Sequence, residues 1–419
     1  MDTYNKEIEH YINELLIKPG IDRICYELGK ILEQSGQIED AQICYQRNVP
    51  VHLIQKYAQS NKSWTILDTL SENSNSDRDF RYEMAYLGEQ VPLVVPAKGV
   101  SQNLHSNFQK TNVYFKDMLV YFLPNGRGWA NENASAILTQ SNCLLKTLST
   151  GVCDTVAASN HLPNAHQLEG NVVFLSSRWG SRAYFHWILD VLPRFQLLRK
   201  VGFCWDDISY FVLHKPTATF SQEALKILDI PPEKIIDSSD IPHIQAEQLV
   251  VPSIIRGSRG QDWAIKFLKQ IFLKDLQDSH QSERENIYIS RNSASRRRIA
   301  NEEEVVNLLK KYGFRRVFLE SMSVMEQASL LYHAKNIVSP HGAGLTNIIF
   351  SQPGTKLIEI FSPHYINSVY WEISNQCKLD YYYLIGEDFD NKDDKHHGAK
   401  DIFVDIDSLH SLLEIANLT

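Results

Sequence analysis

The chain has 419 residues and a formal net charge of −8; 43% of its residues are hydrophobic and 22% are charged. This composition is that of a folded globular protein with more than one domain, and it excludes an intrinsically disordered chain. The acidic balance argues against a general nucleic-acid binder, because neutralising phosphates requires a basic face. We therefore expect no nucleic-acid partner.

The six cysteines are scattered along the sequence and form no Cys-x-x-Cys pair. This spacing is unlike a zinc framework or a disulfide scaffold, and it favours a reducing compartment. The first residues lack the basic-then-apolar pattern of a leader, and no window reaches about 18 consecutive apolar residues. The sequence predicts a cytoplasmic protein, which leaves room for peripheral association at the inner face of a membrane.

Residues 1–60 are predicted to be helical, because apolar side chains recur there at helical spacing. Part of this segment is similar to a single tetratricopeptide repeat, with small Gly29 and Ala41 at the helix crossing and large Leu32 and Tyr45 beside it. One repeat cannot bury a continuous core, since roughly three are needed. We interpret the segment as an appendage that either packs on the main body or mediates self-association or binding of a protein partner.

The rest of the sequence alternates short apolar runs with helical stretches, which is typical of α/β domains. Residues 85–278 are predicted to form a Rossmann-like domain with a largely parallel sheet, and the polar stretch 71–81 before it a linker. Residues 286–390 follow the pattern βαβαβαβ of a second Rossmann-like domain. Residues 400–419 are predicted to contain a closing helix, because the tail is amphipathic. Polar residues 278–286 separate the two domains. Tandem α/β domains place a ligand cleft at the carboxyl ends of their strands.

The stretch SPHGAGLTN nearly contains the dinucleotide fingerprint GxGxxG, with Gly342, Gly344 and then Asn347 in place of the third glycine. It follows a predicted strand and precedes a predicted helix, where backbone N–H groups and the helix N-terminus favour a pyrophosphate. Glu359 ends the next strand, where such folds often place an acid on a ribose hydroxyl. The alternative is a helix entry packed tightly against the sheet, with His341 as a polar cap of the turn.

Arginines are concentrated between the first strand of the second domain and its helix. Four of them fall within eight positions: Arg291, Arg296, Arg297 and Arg298. Guanidinium groups at a strand end can bind phosphate bidentately and replace a metal ion. Because charge runs are usually solvated, we assign two of the four to solvent. Asn301 and Glu304 predict a capping box at the start of the helix.

The stretch YFHWILDVLPR holds a second candidate site. His186 and Asp190 lie four positions apart and share a helix face, and Pro193 is expected to close the helix and leave Arg194 at its end. An imidazole beside a carboxylate is a candidate general base whose tautomer the acid fixes. The alternative is a partly buried histidine satisfied by its helical neighbour. Serine hydrolase, zincin and P-loop motifs are missing from the sequence.

Taken in order, four stretches resemble glycosyltransferase family 61: FHWILDVLPR, ISRNSASRRRIANEEEV, GFRRVFLESMSVMEQASLLYHAKNIVSPHGAGLTNIIF and PGTKLIEIFSP. The resemblance covers roughly residues 170–365 and leaves the N-terminal segment outside. It implies a GT-B fold, in which two Rossmann-like domains form a pair, and an inverting, metal-independent transferase without a cofactor. The implied substrates are a nucleotide sugar, expected to be a UDP-sugar, and a glycan or glycolipid acceptor. The implied pathway class is the synthesis of polysaccharides such as capsules, or of glycoconjugates.

The resemblance also implies roles for individual residues. His186 would deprotonate the acceptor hydroxyl and Asp190 would orient it, across the cleft from the donor. The implied diphosphate ligands are Arg291, Arg297, Arg298, His341, Gly342, Ala343, Gly344, Leu345 and Asn347. Glu359 would face the ribose, an expectation that comes more from the fold than from the family. The positions with acceptor or supporting roles are Arg194, Asn301 and Glu320.

Two other functional classes compete with the transferase interpretation. A non-catalytic adaptor would keep a relic nucleotide-sugar fold and recruit a partner through the helical repeat. The presence of His186, Asp190, the arginines and the glycine turn weighs against it. A dehydrogenase is disfavoured by the missing third glycine and by the arginine cluster.

Overall fold

The computed structural model describes residues 2–58, 63–68, 79–101, 103–180, 182–255, 260–274, 284–389 and 400–418. The helices, in chain order, are α1 Asp2–Ile17, α2 Asp22–Gln34, α3 Ile38–Tyr45, α4 Val51–Tyr57, α5 Tyr184–His186, α6 Leu192–Lys200, α7 Thr219–Ile227, α8 Asp262–Phe272, α9 Glu302–Lys311, α10 Val324–Tyr332, α11 Val369–Cys377 and α12 Ile406–Ile415. The strands, in chain order, are β1 Thr65–Leu67, β2 Arg81–Tyr86, β3 Glu89–Pro92, β4 Asn112–Phe115, β5 Met118–Pro124, β6 Arg127–Ala130, β7 Ser135–Leu138, β8 Cys143–Leu145, β9 His166–Phe174, β10 Tyr210–Leu213, β11 Ile235–Asp237, β12 His243–Pro252, β13 Glu285–Ile289, β14 Phe314–Val317, β15 Ala334–Pro340, β16 Lys356–Phe361, β17 Asp380–Ile385, β18 Glu387–Asp388 and β19 Ile402–Phe403. Most of the predicted linkers 71–81 and 278–286 lies outside the described residues.

The chain divides into two compact units whose boundaries differ from the predicted ones. The first unit combines residues 1–87 with 117–256, and the second combines 88–116 with 257–419. The strand pair β3–β4 and helix α8 therefore belong to the second unit, although the sequence pattern placed them in the first domain.

Long-range contacts explain why these elements join the second unit. Trp371 Nε1 donates a hydrogen bond of 2.8 Å to the Val95 carbonyl, which follows β3. Phe272 at the end of α8 packs edge-on against Phe350, with ring centroids 5.7 Å apart. Neither contact can be read from the local order of strands and helices.

Helices α1 to α4 pack on the first unit and share a buried core with it. The Thr155 hydroxyl donates to the Leu15 carbonyl at 2.8 Å, and Asn131 Nδ2 donates to the Pro19 carbonyl at 2.9 Å. Gly29 allows the close crossing of α2 and α3, since a Cβ there would lie 2.8 Å from the Tyr45 ring. Of the two interpretations of this segment, packing on the main body is the one observed.

The sheet of the first unit is mixed rather than largely parallel, which corrects the prediction. Its order is β1-β8-β7-β6-β12-β9-β10-β11, with β5 and then β2 continuing beside β12. Strands β9, β10 and β12 run parallel, whereas β6, β7 and β8 are joined antiparallel. The connections 131–134 and 139–142 are too short for the crossover that parallel strands need. The parallel strands β9 and β12 are the ones that position a candidate site.

The second unit contains a parallel sheet of order β14-β13-β15-β16-β17. Its inner strands β13, β15 and β16 contain buried apolar runs, and α9 and α12 bury their apolar faces in one cluster on the sheet. The α/β fold class is thereby confirmed. Among the described residues, no helix combines the length and apolar character needed to cross a membrane.

Candidate active site

The carboxyl ends of neighbouring strands bring the predicted phosphate-binding residues of the second unit together. β13 ends at Ile289 shortly before Arg291, and its parallel neighbour β15 ends at Pro340, directly before His341. Carboxyl ends of parallel strands meet at one edge of the sheet, where α/β proteins bind their ligands. Register therefore explains why segments about 50 positions apart share one site.

The first glycine of the turn is required by a close approach and not by its backbone angles. Gly342 has φ 178° and ψ 174°, an extended conformation that any residue can adopt. A Cβ at this position, however, would overlap the guanidinium of Arg291. Arg291 therefore lies directly against the turn, and the two motifs that the sequence separates form one surface.

Arg291 and Arg297 carry neighbouring positive charges in a partly buried environment. Burial lowers the pKa of the Arg291 guanidinium, and the charge of Arg297 lowers it further. Burial likewise lowers the pKa of Arg297, which lies 4.7 Å over the ring of Tyr365. Among the described residues, Nε of Arg291 is buried without a hydrogen-bond partner. A bound anion would relieve both the repulsion and the desolvation.

The other two arginines of the run are exposed, as predicted for two of the four. Arg298 donates three hydrogen bonds to Asp401. Its Nε and Nη2 donate to Oδ2 at 3.0 and 2.7 Å, and its backbone N–H donates to Oδ1 at 3.0 Å. In this structure Asp401 engages the Arg298 guanidinium, and the diphosphate role implied for Arg298 stays a prediction. Arg296 contributes its carbonyl, which accepts from Nη2 of Arg291 at 3.0 Å.

His341 is held by a buried carboxylate. Its Nδ1 lies 2.5 Å from Oε1 of Glu359, and Oε2 of Glu359 accepts from the Tyr381 hydroxyl at 2.6 Å. Glu359 is fully buried, so it does not face a ribose as expected; this role is corrected. With Nδ1 engaged, Nε2 is the imidazole nitrogen left for a second partner.

Aromatic rings surround His341 and were missed by the sequence analysis. Phe361, Tyr365 and Tyr370 have ring centroids 5.3, 5.3 and 5.4 Å from the imidazole. The Tyr370 hydroxyl donates to the Gly342 carbonyl at 2.8 Å and so fixes the turn. The only signal in the sequence is the presence of tyrosines after the strand KLIEIF, which has no motif attached to it.

The helix predicted after the turn is present, and residues 343–350 form it as a 3₁₀ helix. Leu345 N–H already binds the Gly342 carbonyl at 3.1 Å, and the Leu345 side chain is buried. Within the described part of the chain, the amides of Ala343 and Gly344 have no hydrogen-bond partner; they are the free donors of a helix start. These two amides, together with the arginines, can bind an anion.

Asn347 is buried and acts inside the turn, which corrects its implied role as a ligand. Its Nδ2 donates to Oε1 of Gln327 at 2.7 Å and to the Gly344 carbonyl at 3.2 Å. Gln327 in turn donates to the Leu319 carbonyl at 3.0 Å. The residue in place of the third glycine therefore ties the turn to α10.

The remaining supporting positions are Asn301 and Glu320. Asn301 precedes α9 but forms no side-chain cap; its amide donates to the Val404 carbonyl at 2.8 Å and accepts from the Val404 N–H at 3.0 Å. The predicted capping box with Glu304 is therefore wrong, because the side chain pairs with the chain's tail instead. Glu320 is exposed in the turn after β14, and its charge partly opposes the lowering of the Arg291 pKa by burial.

In the first unit, His186 and Asp190 form the predicted pair. His186 Nδ1 lies 2.7 Å from Oδ2 of Asp190, and the side chains are 28% and 10% exposed. A π-helical turn, Trp187–Val191, joins α5 to α6 and widens the helix at this point. The carboxylate fixes the proton on Nδ1 and leaves Nε2 for a reacting group, as in a general base.

Pro193 does not close the helix, which corrects the prediction. It lies in the first turn of α6, directly after the π-helical turn, where its missing N–H is not needed. Helix α6 continues to Lys200, and Arg194 is buried within it rather than left at an end.

Arg194 supports the pair instead of contacting an acceptor. It donates at 2.9–3.0 Å to the carbonyls that end two parallel strands: Phe174, Leu175 and Pro252. Burial lowers its pKa to about 9, and the charge of Asp190 partly offsets this effect. The pair is thereby fixed to the carboxyl ends of β9 and β12.

Among the described residues, no group of three or more His, Cys, Asp or Glu side chains is arranged to hold a metal ion.

Comparisons with known proteins agree with the family resemblance. Residues 184–358 match the family model described as Glycosyltransferase 61, a span that includes both candidate sites. No curated protein matches the chain.

Solved structures give only distant likenesses. The iron-containing dodecameric glycosyltransferase TibC from enterotoxigenic E. coli H10407 is 13% identical, with 64% of this chain and 80% of that chain covered and a TM-score of 0.24. A D-isomer specific 2-hydroxyacid dehydrogenase family protein from Aeromonas salmonicida is 12% identical, with coverages of 59% and 91% and a TM-score of 0.18. Both scores are too low to indicate a shared fold. The sequence similarity to glycosyltransferase family 61 is therefore confined to residues 184–358, where both sets of site residues lie.

Proposed function

We propose that this protein is an inverting, metal-independent glycosyltransferase of the GT-B type. It would move a sugar from a nucleotide sugar, expected to be a UDP-sugar, to a hydroxyl of a glycan or glycolipid acceptor. The reaction would serve polysaccharide or glycoconjugate synthesis on the cytoplasmic side. The family match supports glycosyl transfer, and the anion-binding edge of the second unit supports a diphosphate donor.

The observation that carries the proposal is the convergence of cations and free amides around Gly342. Arg291, Arg297 and the N–H groups of residues 343 and 344 lie at one strand edge. When the bond from the anomeric carbon to the diphosphate oxygen breaks, its electron pair moves to that oxygen. Fixed positive charges and N–H dipoles stabilise this developing charge without a metal ion.

His341 is suited to a second role at the leaving group. Its Nδ1 lies against the Glu359 carboxylate, which fixes the orientation of the imidazole ring. Nε2 would then donate a proton or a hydrogen bond to a phosphate oxygen. The aromatic rings around it exclude water and fix the ring plane.

His186 is the proposed base. Its Nε2 would accept the proton of the acceptor hydroxyl while the oxygen attacks the anomeric carbon from the face opposite to the diphosphate. Asp190 accepts from Nδ1 and stabilises the imidazolium that forms. A single displacement of this kind inverts the anomeric configuration.

The test is transfer and donor hydrolysis by the purified protein over a panel of nucleotide sugars in the presence of EDTA. We expect one UDP-sugar to be turned over with inversion, as shown by NMR of the new anomeric proton. Arg291→Gln should weaken donor binding about tenfold or more, as for loss of a charged hydrogen bond. Arg296→Gln is the matched control, since its side chain is exposed and only its carbonyl is used. If calorimetry detects binding of none of the donors, the transferase proposal is overturned in favour of the adaptor.

A further inference from the structure

The first unit contains a polar cavity that the transfer reaction does not use. It has a volume of about 700 Å³, within the range of ligand clefts. Its polar lining combines Arg127 and His243 with carboxamide side chains, among them Asn142, Asn164 and Gln167. Six of its fourteen lining residues carry carboxamides, which is unusual for a packing defect, because buried apolar gaps are lined by apolar groups.

The cavity lies at the opposite edge of the sheet from the His186 pair. Gln167 is near the start of β9, and Gln245 is near the start of β12 and opposite Arg127 of β6. The carbonyls that bind Arg194 end these same two strands. At about 3.3 Å per residue along β9, the two places are roughly 25 Å apart.

The cavity carries positive charge. Arg127 is half-buried, and its Nη2 donates to Oδ1 of Asn142 at 2.5 Å, which orients the guanidinium. Within the described ranges, no aspartate or glutamate lines the cavity and none forms a salt bridge with Arg127. A ligand with a carboxylate would therefore meet a cation whose charge is not already neutralised.

The amides match a ligand rich in hydroxyl groups. Each carboxamide has donors and an acceptor side by side, as two neighbouring sugar hydroxyls do. Gln167 Nε2 donates to Oε1 of Gln245 at 3.1 Å, and Gln245 Nε2 donates to the Asn125 carbonyl at 3.3 Å. Oε1 of Gln167 is thereby oriented to accept a hydrogen bond from a ligand hydroxyl. His243 is oriented by its Nδ1, which lies 2.7 Å from the Pro163 carbonyl.

We propose that this cavity binds an acidic oligosaccharide. A sugar carboxylate lies against Arg127 and the hydroxyls of the chain lie against the amides. This is a second glycan site, in the same unit as the proposed base but at the other end of its strands. Binding there needs neither donor nor transfer, so the inference stands or falls separately from the proposed activity.

The first experiment is calorimetry of the full chain with two acidic tetrasaccharides, tetragalacturonate and a chondroitin tetrasaccharide. Maltotetraose is the neutral probe and inorganic phosphate the simple anion. At least one acidic tetrasaccharide should bind, and Arg127→Gln should lower its affinity at least about tenfold. Arg23→Gln, the same change at an exposed position of α2, should leave the affinity unchanged. His186→Ala should also retain binding.

A second variant keeps the test valid if Arg127→Gln folds poorly. Gln167 is exposed at the rim, so Gln167→Glu should fold normally while adding a negative charge at the cavity mouth. This substitution should weaken binding of the acidic tetrasaccharide about tenfold or more. Gln222→Glu, the same change at an exposed position of α7, should leave that affinity unchanged. The proposal is overturned if neither acidic probe binds wild type, if phosphate or maltotetraose binds equally well, or if Gln167→Glu leaves the affinity unchanged.

Discussion

His341 shows what a single sequence reveals of an individual residue and what it hides. Its position after a strand and before two glycines predicted a ligand-binding turn, because local context suffices for that. The partner that orients it, Glu359, is 18 positions away and was assigned to a ribose. Only the pairing of β15 with β16, which brings Ser339 opposite Glu359, reveals the contact.

We expect Glu359→Gln to impair turnover more than donor binding. The substitution keeps the shape of the side chain but removes the negative charge beside Nδ1 of His341. If His341 assists the leaving diphosphate, kcat should fall about tenfold to a hundredfold while the donor KM changes little. Steady-state kinetics with the active nucleotide sugar measures both.

The control for this prediction is Tyr381→Phe. It removes the other hydrogen bond to Glu359 but keeps the charge, so its effect should be about 1 kcal/mol on the free energy of unfolding and little on kcat. Equal losses of kcat in the two variants would show that packing, not charge, explains the effect.

The contact between Gly342 and Arg291 gives a second prediction. Gly342→Ala should destabilise the protein by about 1–3 kcal/mol and reduce donor binding, because the new methyl group displaces the guanidinium. In an Arg291→Ala background the same change should be nearly neutral. Denaturant unfolding of the four proteins in this cycle gives the coupling energy. Additive effects would contradict the close approach.

At the scale of elements, the helical segment that carries His186 was predicted from its spacing, but neither its end nor its geometry was. Spacing alone placed His186 and Asp190 on one face, and the 2.7 Å contact confirms that they meet. The π-helical turn has no recognised sequence signature, so the inward position of Arg194 could not be foreseen. The effect of Pro193 was also predicted wrongly, because a proline ends a helix in its interior but is tolerated in its first turn.

Arg194→Lys tests how the element is fixed to the sheet. A lysine has one nitrogen in place of the planar fork that binds three strand-end carbonyls, so buried carbonyls lose their donors. We expect a loss of about 2–4 kcal/mol in the free energy of unfolding. Thermal or urea unfolding measures it, with exposed Lys200→Arg on the same helix as the control. A loss below about 0.5 kcal/mol would contradict the supporting role.

At the scale of the whole molecule, the order of strands and helices predicted the α/β class but not the membership of the two units. Alternation along the chain is a local pattern, and it identified the parallel sheet of the second unit. The hairpin β3–β4 joins that unit through contacts such as Val95 with Asn375, which are 280 positions apart. No periodicity reports such a pairing, so the boundary was placed too late in the chain.

Asn375→Ala should loosen this hairpin locally. The Asn375 side chain accepts from the Val95 N–H at 2.6 Å and donates to the Val95 carbonyl at 3.2 Å. We expect faster hydrogen exchange of the amides around Val95, with a local opening free energy lower by about 1–2 kcal/mol. Mass spectrometry of peptides from this region measures it. Exposed Asn112→Ala in β4 is the control, and equal exchange in both variants would refute the role of Asn375.

The pairing of Arg298 with Asp401 has a consequence for synthesis on the ribosome. The arginine-rich loop is held by residues that are translated about 103 positions later. The Asp401 carboxylate and the Ile402 backbone bind the loop, and the Asn301 amide at its end donates to the Val404 carbonyl. At roughly 5–20 residues per second, this interval lasts about 5–20 s. During that time the nascent loop exposes a row of guanidinium groups without their carboxylate, next to polyanionic ribosomal RNA. A released chain truncated before residue 400 should therefore sediment with ribosomes at low salt more than the full chain does.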